Sequence, residues 1–261
     1  MIQSLWTAST GMAAQATNVD VISNNLANAN TTGFKRSRAH FQDLMYMQMK
    51  LVGSQDGAGN QTPTGIQVGL GVKTAGVEKV FTQGSYQNTN NDFDLAIEGK
   101  GFFQVQMPDG TMGYTRSGTF SLDGNGQLVT QDGYPLQPAI NIPADATAVN
   151  VAADGSVSVQ QAGGLNTVVG QITLANFTNS GGLMAMGHSI FQETLASGAA
   201  VVGAPAANGI GSIAQGMLET SNVNAVEEMV GLIAAQRAYE MNSKAVTAAD
   251  EMMQSVNGLK R

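Results

Sequence analysis

The chain of 261 residues carries 12 Lys and Arg against 19 Asp and Glu, so its formal net charge is −7. Because it contains no cysteine, disulfide scaffolds, thiolate metal sites and cysteine nucleophiles are excluded. Residues 117–236 contain neither Lys nor Arg, whereas phosphate neutralisation needs clustered basic side chains. The composition therefore argues against a nucleic-acid partner.

The length and the hydrophobic content of 43% predict two or more structural units, because one average domain needs fewer residues. The longest apolar runs fall far below the roughly 18 residues that suggest a membrane helix, so we expect no direct membrane insertion. No Lys or Arg precedes Lys35, whereas a cleavable signal peptide begins with a basic region. We therefore expect no cleaved signal peptide.

The N-terminal segment, residues 1–34, is predicted to form a helix. Its apolar side chains recur at the two core positions of a heptad, which is typical of a narrow packed stripe. These residues are Leu5, Met12, Val19, Ile22 and Leu26. The pattern stops at residues 28–34, where short polar side chains compete for backbone hydrogen bonds and Gly33 can adopt the left-handed conformation that ends helices.

Residues 35–85 are predicted to be an extended connector, because the stretch from Gly53 to Thr64 is rich in Gly, Gln and Thr. Methionine side chains, which adapt their packing, come before that stretch, and glycines, which allow backbone conformations closed to other residues, lie within it. These residues are Met45, Met47, Met49, Gly53, Gly57 and Gly59.

Residues 86–212 are predicted to form a mostly antiparallel β domain. Several of its segments alternate in polarity or are rich in β-branched side chains, which is typical of strands. Asp-Gly pairs, which favour tight hairpin turns, separate them at residues 109–110, 123–124, 132–133 and 154–155.

The C-terminal segment, residues 213–261, is predicted to contain the second helix. Asn222 or Asn224 can cap it, and Asn224 with Glu227 three residues later imitates a capping box. Apolar side chains then advance mostly by threes and fours, which places them on one helix face. They include Val226, Val230, Ile233, Met241, Ala245, Ala248 and Met252.

These elements predict an α+β fold, with long N- and C-terminal helices packed as a coiled-coil-like unit and a central, mostly antiparallel β domain. A stripe of two apolar residues per heptad cannot make a core alone, so each terminal helix needs a partner, and the other terminus is the nearest candidate. The segment up to Phe34 has Asp20 as its single charged side chain. Both of its faces can therefore be packed, which favours self-association.

The sequence offers little for catalysis. His40 and His188 are the only histidines, and neither has a second histidine within helical or hairpin reach, which argues against a metal pair or a Ser/His/Asp triad. The run Gly99–Gly101 fails the phosphate-loop pattern, which requires Ser or Thr after the lysine. Residues 123–126 favour a hairpin turn over a calcium loop. We predict no catalytic residue, no cofactor and no metal ion.

The one basic cluster is Lys35, Arg36 and Arg38. Three charges are too few for a nucleic-acid surface, and at the junction of a helix and a connector we interpret them as a solvated or salt-bridged turn.

Signature residues at both ends and in the middle of the chain carry a resemblance that covers essentially its whole length. They are residues 4–8, 24–36, 96–103, 114–118 and 219–224 through to 238–240. With these residues the chain resembles the flagellar basal-body rod and hook family.

The resemblance implies a structural protein, not an enzyme, in the distal part of the rod. Such a protein is exported unfolded through the flagellar type III apparatus without a cleaved signal. It self-associates into a stiff helical tube that transmits torque. The paired termini would form an inner tube around the export channel. The β domain would form an outer layer facing the periplasm and the surrounding periplasmic and outer-membrane rings. Proximal rod and hook subunits would be its axial neighbours, and the apolar stripes of both helices would be the assembly interface.

The connector from Tyr46 to Pro63 occupies the position of the segment that distinguishes the straight distal rod from the flexible hook in this family. We expect its methionines and glycines to set stiffness rather than assembly. The competing interpretation is a solvated loop, which its composition alone favours.

Two alternative functions stay open. The first is a hook or proximal rod subunit of the same family. The second is a secreted β-rich enzyme or glycan-binding module with a helical stalk. Against the second, aromatic residues make up only 6% of the chain, and the acidic pair Asp92 and Asp94 has no histidine nearby in sequence.

Overall fold

The computed structural model describes residues 2–50, 64–161 and 166–258. Tertiary contacts divide the chain into two compact units. The terminal unit comprises Met1–Leu26, Ser37–Glu78 and Asn224–Arg261, and the central unit comprises Ala27–Arg36 and Lys79–Val223.

The terminal unit is built on two long helices, α1 (Ile2–Ala27) and α2 (Ala225–Gly258). The predicted connector contains four strands where it is described, namely β1 (Ser37–Asp43), β2 (Tyr46–Lys50), β3 (Ile66–Gly69) and β4 (Val72–Lys79). Strand β1 pairs with β4, and β2 pairs with β3 in antiparallel register, so the connector forms two small ribbons.

Helix α1 ends at Ala27, seven residues before the end of the predicted helical segment. Just beyond it, Thr31 donates a backbone hydrogen bond to the Asn28 carbonyl at 3.2 Å and a hydroxyl hydrogen bond to Asn28 Oδ1 at 3.1 Å. This closed turn competes with helix continuation. Gly33 then adopts the predicted left-handed conformation, with φ of 67°.

Helix α2 begins at Ala225, directly after Asn224, one of the two predicted caps. Asn224 is the cap: its Oδ1 accepts a hydrogen bond from the Val226 amide at 3.1 Å, and its carbonyl accepts one from Glu228 at 3.0 Å. Such a cap satisfies amides that lack a partner at a helix start. Before this helix, Ser212–Gln215 and Met217–Glu219 form two strands.

The central unit contains sixteen strands and one 3₁₀ helix (Ser180–Gly182) within its described residues. The strands are β5 (Tyr86–Asn88), β6 (Leu95–Glu98), β7 (Phe102–Gln106), β8 (Met112–Thr115), β9 (Phe120–Leu122), β10 (Leu128–Thr130), β11 (Leu136–Gln137), β12 (Ala146–Val151), β13 (Ser156–Gln161), β14 (Asn166–Gln171), β15 (Leu174–Asn176), β16 (Met184–Gly187), β17 (Ile190–Gln192), β18 (Val201–Gly203), β19 (Ser212–Gln215) and β20 (Met217–Glu219).

The largest sheet has seven strands, in the order β16, β17, β8, β7, β15, β18, with β11 also pairing with β7. A second sheet has the order β12, β13, β14, and three further pairs join β9 to β10, β6 to β19 and β5 to β20. All these pairs are antiparallel. The predicted α+β fold, with terminal helices and a central antiparallel β region, is confirmed.

The Asp-Gly segments form tight turns, as predicted. Residues 123–126 connect β9 to β10, with Gly126 donating a hydrogen bond to the Asp123 carbonyl at 2.8 Å. This is the hairpin interpretation, not the calcium loop. Gly110, Gly133 and Gly155 all have positive φ values, between 79° and 84°, which other residues adopt at a cost.

Two apolar clusters stabilise the central unit. The larger one contains side chains from β6, β7, β13 and β15, such as Ile97, Phe103, Val159 and Leu174. The smaller one is aromatic, and Phe102, Tyr114, Phe177 and Phe191 meet edge to face within it, with ring centres 4.8 to 6.1 Å apart. Edge-to-face packing suits the charge distribution of aromatic rings.

Candidate assembly surfaces and a buried ionic cluster

The two terminal helices pack against each other in antiparallel register. Gly11 lies opposite Asn242, Ile22 opposite Gly231 and Asn25 opposite Glu228. Each step forward along α1 is matched by an equal step backward along α2, so one register holds along this seam. A Cβ atom added at Gly11 would lie 2.9 Å from Asn242 Nδ2, so the Asn242 side chain fills the space that Gly11 leaves open.

The buried side of α2 is made of small and polar residues. Ala235 and Ala249 are buried, and so is Glu228. Glu228 Oε2 accepts a hydrogen bond from Asn25 Nδ2 at 3.2 Å, and Asn25 also exchanges hydrogen bonds of 2.8 Å with the backbone of Ser37 in both directions. A buried polar pair of this kind favours one register over its neighbours.

The apolar residues predicted on α2 lie on a different face of the helix. The five large ones keep between 52% and 65% of their surface exposed, and Ala245 and Ala248 are exposed too. We call this set the α2 stripe: Val226, Val230, Ile233, Met241, Ala245, Ala248 and Met252. At 3.6 residues per turn it is centred about a third of a turn from the seam. The stripe has no cover within the described part of the chain.

The residues predicted on α1 are less exposed. Ile22 is buried, and its Cδ1 atom lies 3.5 Å from the position of a Cβ atom on Gly231. Leu5, Met12, Val19 and Leu26 are half-buried. Trp6, which the heptad pattern did not select, is 65% exposed.

The predicted connector methionines lie on or beside an exposed ribbon. Met45 precedes β2, and Met47 and Met49 lie within it; all three are exposed. On the partner strand β3, Ile66 and Val68 are exposed as well. The other predicted connector residues, Gly53, Gly57 and Gly59, lie outside the described residues.

A buried ionic cluster joins three distant segments of the central unit. Lys35 Nζ lies 2.6 Å from Glu219 Oε1, and both side chains are fully buried. Arg116 Nε lies 3.4 Å from Glu219 Oε2, an ionic contact without hydrogen-bond alignment. The cluster therefore holds two buried cations around one buried carboxylate.

Backbone groups complete this cluster. Lys35 donates to the Thr82 carbonyl at 2.7 Å, and Glu219 Oε1 accepts from the Gly84 amide at 2.9 Å. Arg116 donates from its two terminal nitrogens to the carbonyls of Gly101 and Gly99, at 2.9 and 2.8 Å. Satisfied hydrogen bonds make the burial of these charges tolerable.

Burial dominates the electrostatics of both cations. It lowers the pKa of Lys35 from its ordinary value, although the neighbouring Glu219 carboxylate opposes the shift. Burial likewise lowers the pKa of Arg116, again with Glu219 opposing. Desolvation thus lowers the two pKa values by more than the attraction of one carboxylate raises them.

Sequence reasoning did not identify this cluster. Lys35 was expected in a solvated or salt-bridged turn, and it forms a salt bridge but is fully buried. Its partner Glu219 lies 184 residues away in the chain. The available signal was that Lys35, Arg116 and Glu219 all fall within the signature segments.

The two histidines lie near carboxylates and remain accessible. His40 Nε2 is 3.2 Å from Glu78, and His188 Nδ1 is 3.1 Å from Asp132. No group of three or more potential metal-ligating side chains occurs in the described residues. Among the described helices, none combines the length and apolarity needed to cross a bilayer.

Three family models match the chain. They are the flagella basal body rod protein model over residues 5–35, the flagellar hook protein FlgE/F/G D1 domain over residues 96–159, and the flagellar basal body rod FlgEFG protein C-terminal model over residues 214–259. Each model contains one member of the ionic cluster, because Lys35, Arg116 and Glu219 fall in different ones.

The chain is also similar to named proteins over its full length. It is 51% identical over 261 residues to the flagellar basal-body rod protein FlgG of Caulobacter vibrioides and 49% identical over 260 residues to that of Buchnera aphidicola subsp. Acyrthosiphon pisum. In both cases 99% of this chain and 100% of the relative are covered. It is 50% identical to the flagellar hook protein FlgE of Helicobacter mustelae over 141 residues, which are 52% of this chain and 30% of that protein.

Proposed function

Because the chain belongs to the flagellar basal-body rod and hook protein family, we propose that it is a structural subunit of the bacterial flagellar distal rod. In this role it polymerises into a stiff hollow drive shaft that transmits torque and surrounds the export channel. The family is structural and not enzymatic, so the chemistry of this protein is that of packed surfaces.

The pattern of coverage favours a rod subunit over a hook subunit. The rod proteins align with this chain from end to end. The hook protein aligns with about half of it and is itself covered over 30% of its length. A hook protein therefore contains much that this chain lacks.

The α2 stripe is the observation that carries the proposal of self-assembly. Five large apolar side chains on one face of a long helix are more than half exposed. Exposed apolar patches of this kind mark interaction sites. Burying the remaining surface of one such side chain contributes roughly 1 kcal/mol. The five together contribute about 5 kcal/mol per subunit, enough to favour assembly when each subunit meets several neighbours.

The placement of the stripe suits a helical tube. Since the seam with α1 occupies another face of α2, a second subunit can cover the stripe without separating the paired helices. The predicted residues of α1, namely Leu5, Met12, Val19, Ile22 and Leu26, would complete the assembly interface together with the exposed Trp6. Contacts that continue from copy to copy without closing generate filaments.

Family membership supports the finer parts of this proposal. Residues 1–34 and 213–261 would form the inner tube, residues 35–85 the connector and residues 86–212 the outer β domain. Proximal rod and hook subunits would be axial neighbours. The outer layer would face the surrounding rings across the periplasm, and the export apparatus would deliver the chain without a cleaved signal.

Electron microscopy of the purified, polymerised chain tests this function. A straight tube is the expected result, whereas a curved tube indicates a hook-like subunit and a discrete oligomer contradicts both.

Val230→Asp, in the stripe, should abolish tubes, because an unpaired charge would have to be buried. Gln236→Asp is the matched control, since it adds the same charge to the exposed face away from both the stripe and the seam. Equal tube yields from the two variants would contradict the proposal that the stripe lies in the assembly interface.

We further propose that the connector sets the stiffness of the tube. The exposed ribbon of β2 and β3, with Met47 paired opposite Val68, offers apolar surface that a neighbouring subunit can cover and that would then resist sliding. The test compares the bending persistence length of tubes from the full chain and from a variant lacking residues 54–61. Softer tubes with normal assembly would support the proposal. Unchanged stiffness would favour the solvated loop.

A further inference from the structure

A cavity of about 180 Å³ in the central unit is lined by five polar or charged side chains, together with the rings of Phe81 and Phe102 and two glycines. Arg116 forms one part of its wall, and Lys100, Asn176 and Ser180 form others. All the lining residues lie in the described part of the chain, and none of them is Asp or Glu. In a chain with a net charge of −7, a cavity with two cations and no carboxylate is a local exception.

Three of these side chains hold donors that are free within the described residues. Lys100 is exposed, and its ammonium group makes no hydrogen bond or ion pair there. Asn176 Oδ1 accepts from the Phe177 amide at 3.0 Å, which leaves the Nδ2 group to donate. The Ser180 hydroxyl is also free to donate. An ammonium, an amide and a hydroxyl can all donate to one oxyanion.

Arg116 adds a positive charge whose orientation is fixed by the protein. Its side chain is buried, and its terminal nitrogens each donate one hydrogen bond to a backbone carbonyl, at Gly101 and Gly99. Each terminal nitrogen carries two N–H groups, so one remains on each. The carbonyl bonds hold the guanidinium in place before any ligand arrives.

The charged side chains next to the cavity also favour the binding of an anion. Lys35 and Arg116 together carry one more positive charge than Glu219 neutralises. Lys100 at the cavity adds one positive charge, and Glu98, which precedes it by two residues and accepts a hydrogen bond from the Ser212 hydroxyl, adds one negative charge outside the lining, so the excess of one positive charge remains. A small anion would bring both a compensating charge and acceptors for the free donors.

We propose that this cavity is a binding site for one small oxyanion, either a carboxylate or a phosphate group. Two sources share this chemistry: a free oxyanion in solution, and an acidic side chain of another copy of this chain. The site uses side chains around a cavity and does not depend on the phosphate-loop pattern that Gly99–Gly101 fails. It also does not depend on the proposed function, because a dilute monomer is sufficient to test it.

Calorimetric titration of the dilute full-length chain with inorganic phosphate, at ionic strength held constant with NaCl, is the test. We expect saturable binding of one phosphate per chain. Lys100→Gln should weaken it about tenfold, the loss expected for one charge-assisted hydrogen bond. Lys73→Gln removes another exposed lysine, in the terminal unit, and should leave the affinity unchanged.

Asn176→Asp gives a second readout. It keeps the oxygen that accepts from the Phe177 amide but replaces the free donor with a negative charge, so binding should be lost while the fold is retained. The proposal is overturned if the unmodified chain shows no saturation up to about 20 mM phosphate, where even a millimolar site fills. It is also overturned if Lys100→Gln weakens binding no more than Lys73→Gln does.

Repeating the titration on assembled chain separates the two sources. If an acidic side chain of a neighbouring copy occupies the cavity, phosphate binding disappears on assembly. If the ligand is a free oxyanion, the assembled chain binds phosphate with the same affinity as the monomer. Either outcome supports the site that the dilute titration has established.

Discussion

Replacing Glu219 with glutamine should destabilise the central unit more than replacing Lys35 with methionine. Glu219→Gln keeps the shape of the side chain and an oxygen for the Gly84 amide. It removes the only carboxylate from a cluster in which Lys35 and Arg116 are both buried. Two like charges would then share the site without compensation.

The structure gives the scale of the difference. Removing one partner of a buried ion pair costs about 3–5 kcal/mol, because an uncompensated charge stays buried. Lys35→Met leaves Arg116 and Glu219 as a neutral pair and loses hydrogen bonds of Lys35 Nζ to Glu219 and to the Thr82 carbonyl. That loss is about 1–3 kcal/mol. Glu219→Gln should therefore cost roughly 2 kcal/mol more than Lys35→Met.

Urea unfolding of the full chain, followed by the near-ultraviolet circular dichroism of its tyrosines, measures both free energies. Glu240→Gln is the matched control, since Glu240 forms an exposed pair with Arg237 and exposed pairs contribute little. If Glu219→Gln loses no more free energy of unfolding than Lys35→Met, the charge balance does not govern this cluster.

The pH dependence supplies an independent check. Burial lowers the pKa of Lys35 below its ordinary value of 10.5, and loss of Glu219 removes the opposing attraction. Between the lowered pKa of Lys35 and 10.5 the unfolded chain then binds more protons than the folded chain, so stability rises with pH within that window. The loss in free energy of unfolding caused by Glu219→Gln should shrink as the pH approaches the ordinary pKa of lysine.

Three further predictions concern other parts of the molecule. Gly11→Leu should lower the stability of the helix pair by about 1–3 kcal/mol through overpacking, and Asn242→Ala in the same chain should recover part of it in thermal melts. Burial, together with Glu193, raises the pKa of Tyr114 above its ordinary value of 10.0. Above pH 10 the folded chain therefore binds more protons than the unfolded chain and loses stability as the pH rises, and Tyr114→Phe should flatten that fall in urea midpoints. In a dilute monomer the amides of α1, on which few apolar side chains are buried, should exchange much faster than those of β7. Equal protection in a verified monomer would contradict that expectation.

Local sequence patterns were sufficient for the architecture. Heptad spacing predicted the N-terminal helix, apolar residues spaced by threes and fours predicted the C-terminal helix, and Asp-Gly pairs predicted turns such as the one between β9 and β10. Helix α1 ends where the apolar pattern stops, at Asn28, and α2 begins directly after Asn224. The strand pairings were less predictable, since β19 and β20 pair with β6 and β5 more than a hundred residues earlier. Such pairing partners leave no local pattern.

The ionic cluster could not be predicted for the same reason. A lysine beside two arginines is typical of a solvated surface, and nothing near Lys35 in sequence indicates a carboxylate 184 residues away. Only the three-dimensional meeting of Lys35, Arg116 and Glu219 turns three charged residues into one buried group.

The seam between α1 and α2 shows what an apolar pattern does not detect. Heptad analysis selects large apolar side chains, whereas the seam uses Gly11, Ala235 and Asn242, together with the hydrogen bond from Asn25 to Glu228. The Asn242 side chain occupies the space beside Gly11, so the seam does not use the large apolar side chains of α2. A slip of one residue would break the buried hydrogen bond, so the polar pair fixes the register while contributing little apolar burial. The contacts between α1 and α2 thus fix the register of the two helices within one chain. The large side chains of the α2 stripe remain exposed, so they can be buried by another chain on association. A leucine placed in the seam, as in Gly11→Leu, would weaken the helix pair of the single chain by overpacking and leave the surface proposed for assembly unchanged, whereas a charge in the stripe would leave the helix pair intact and oppose association between chains.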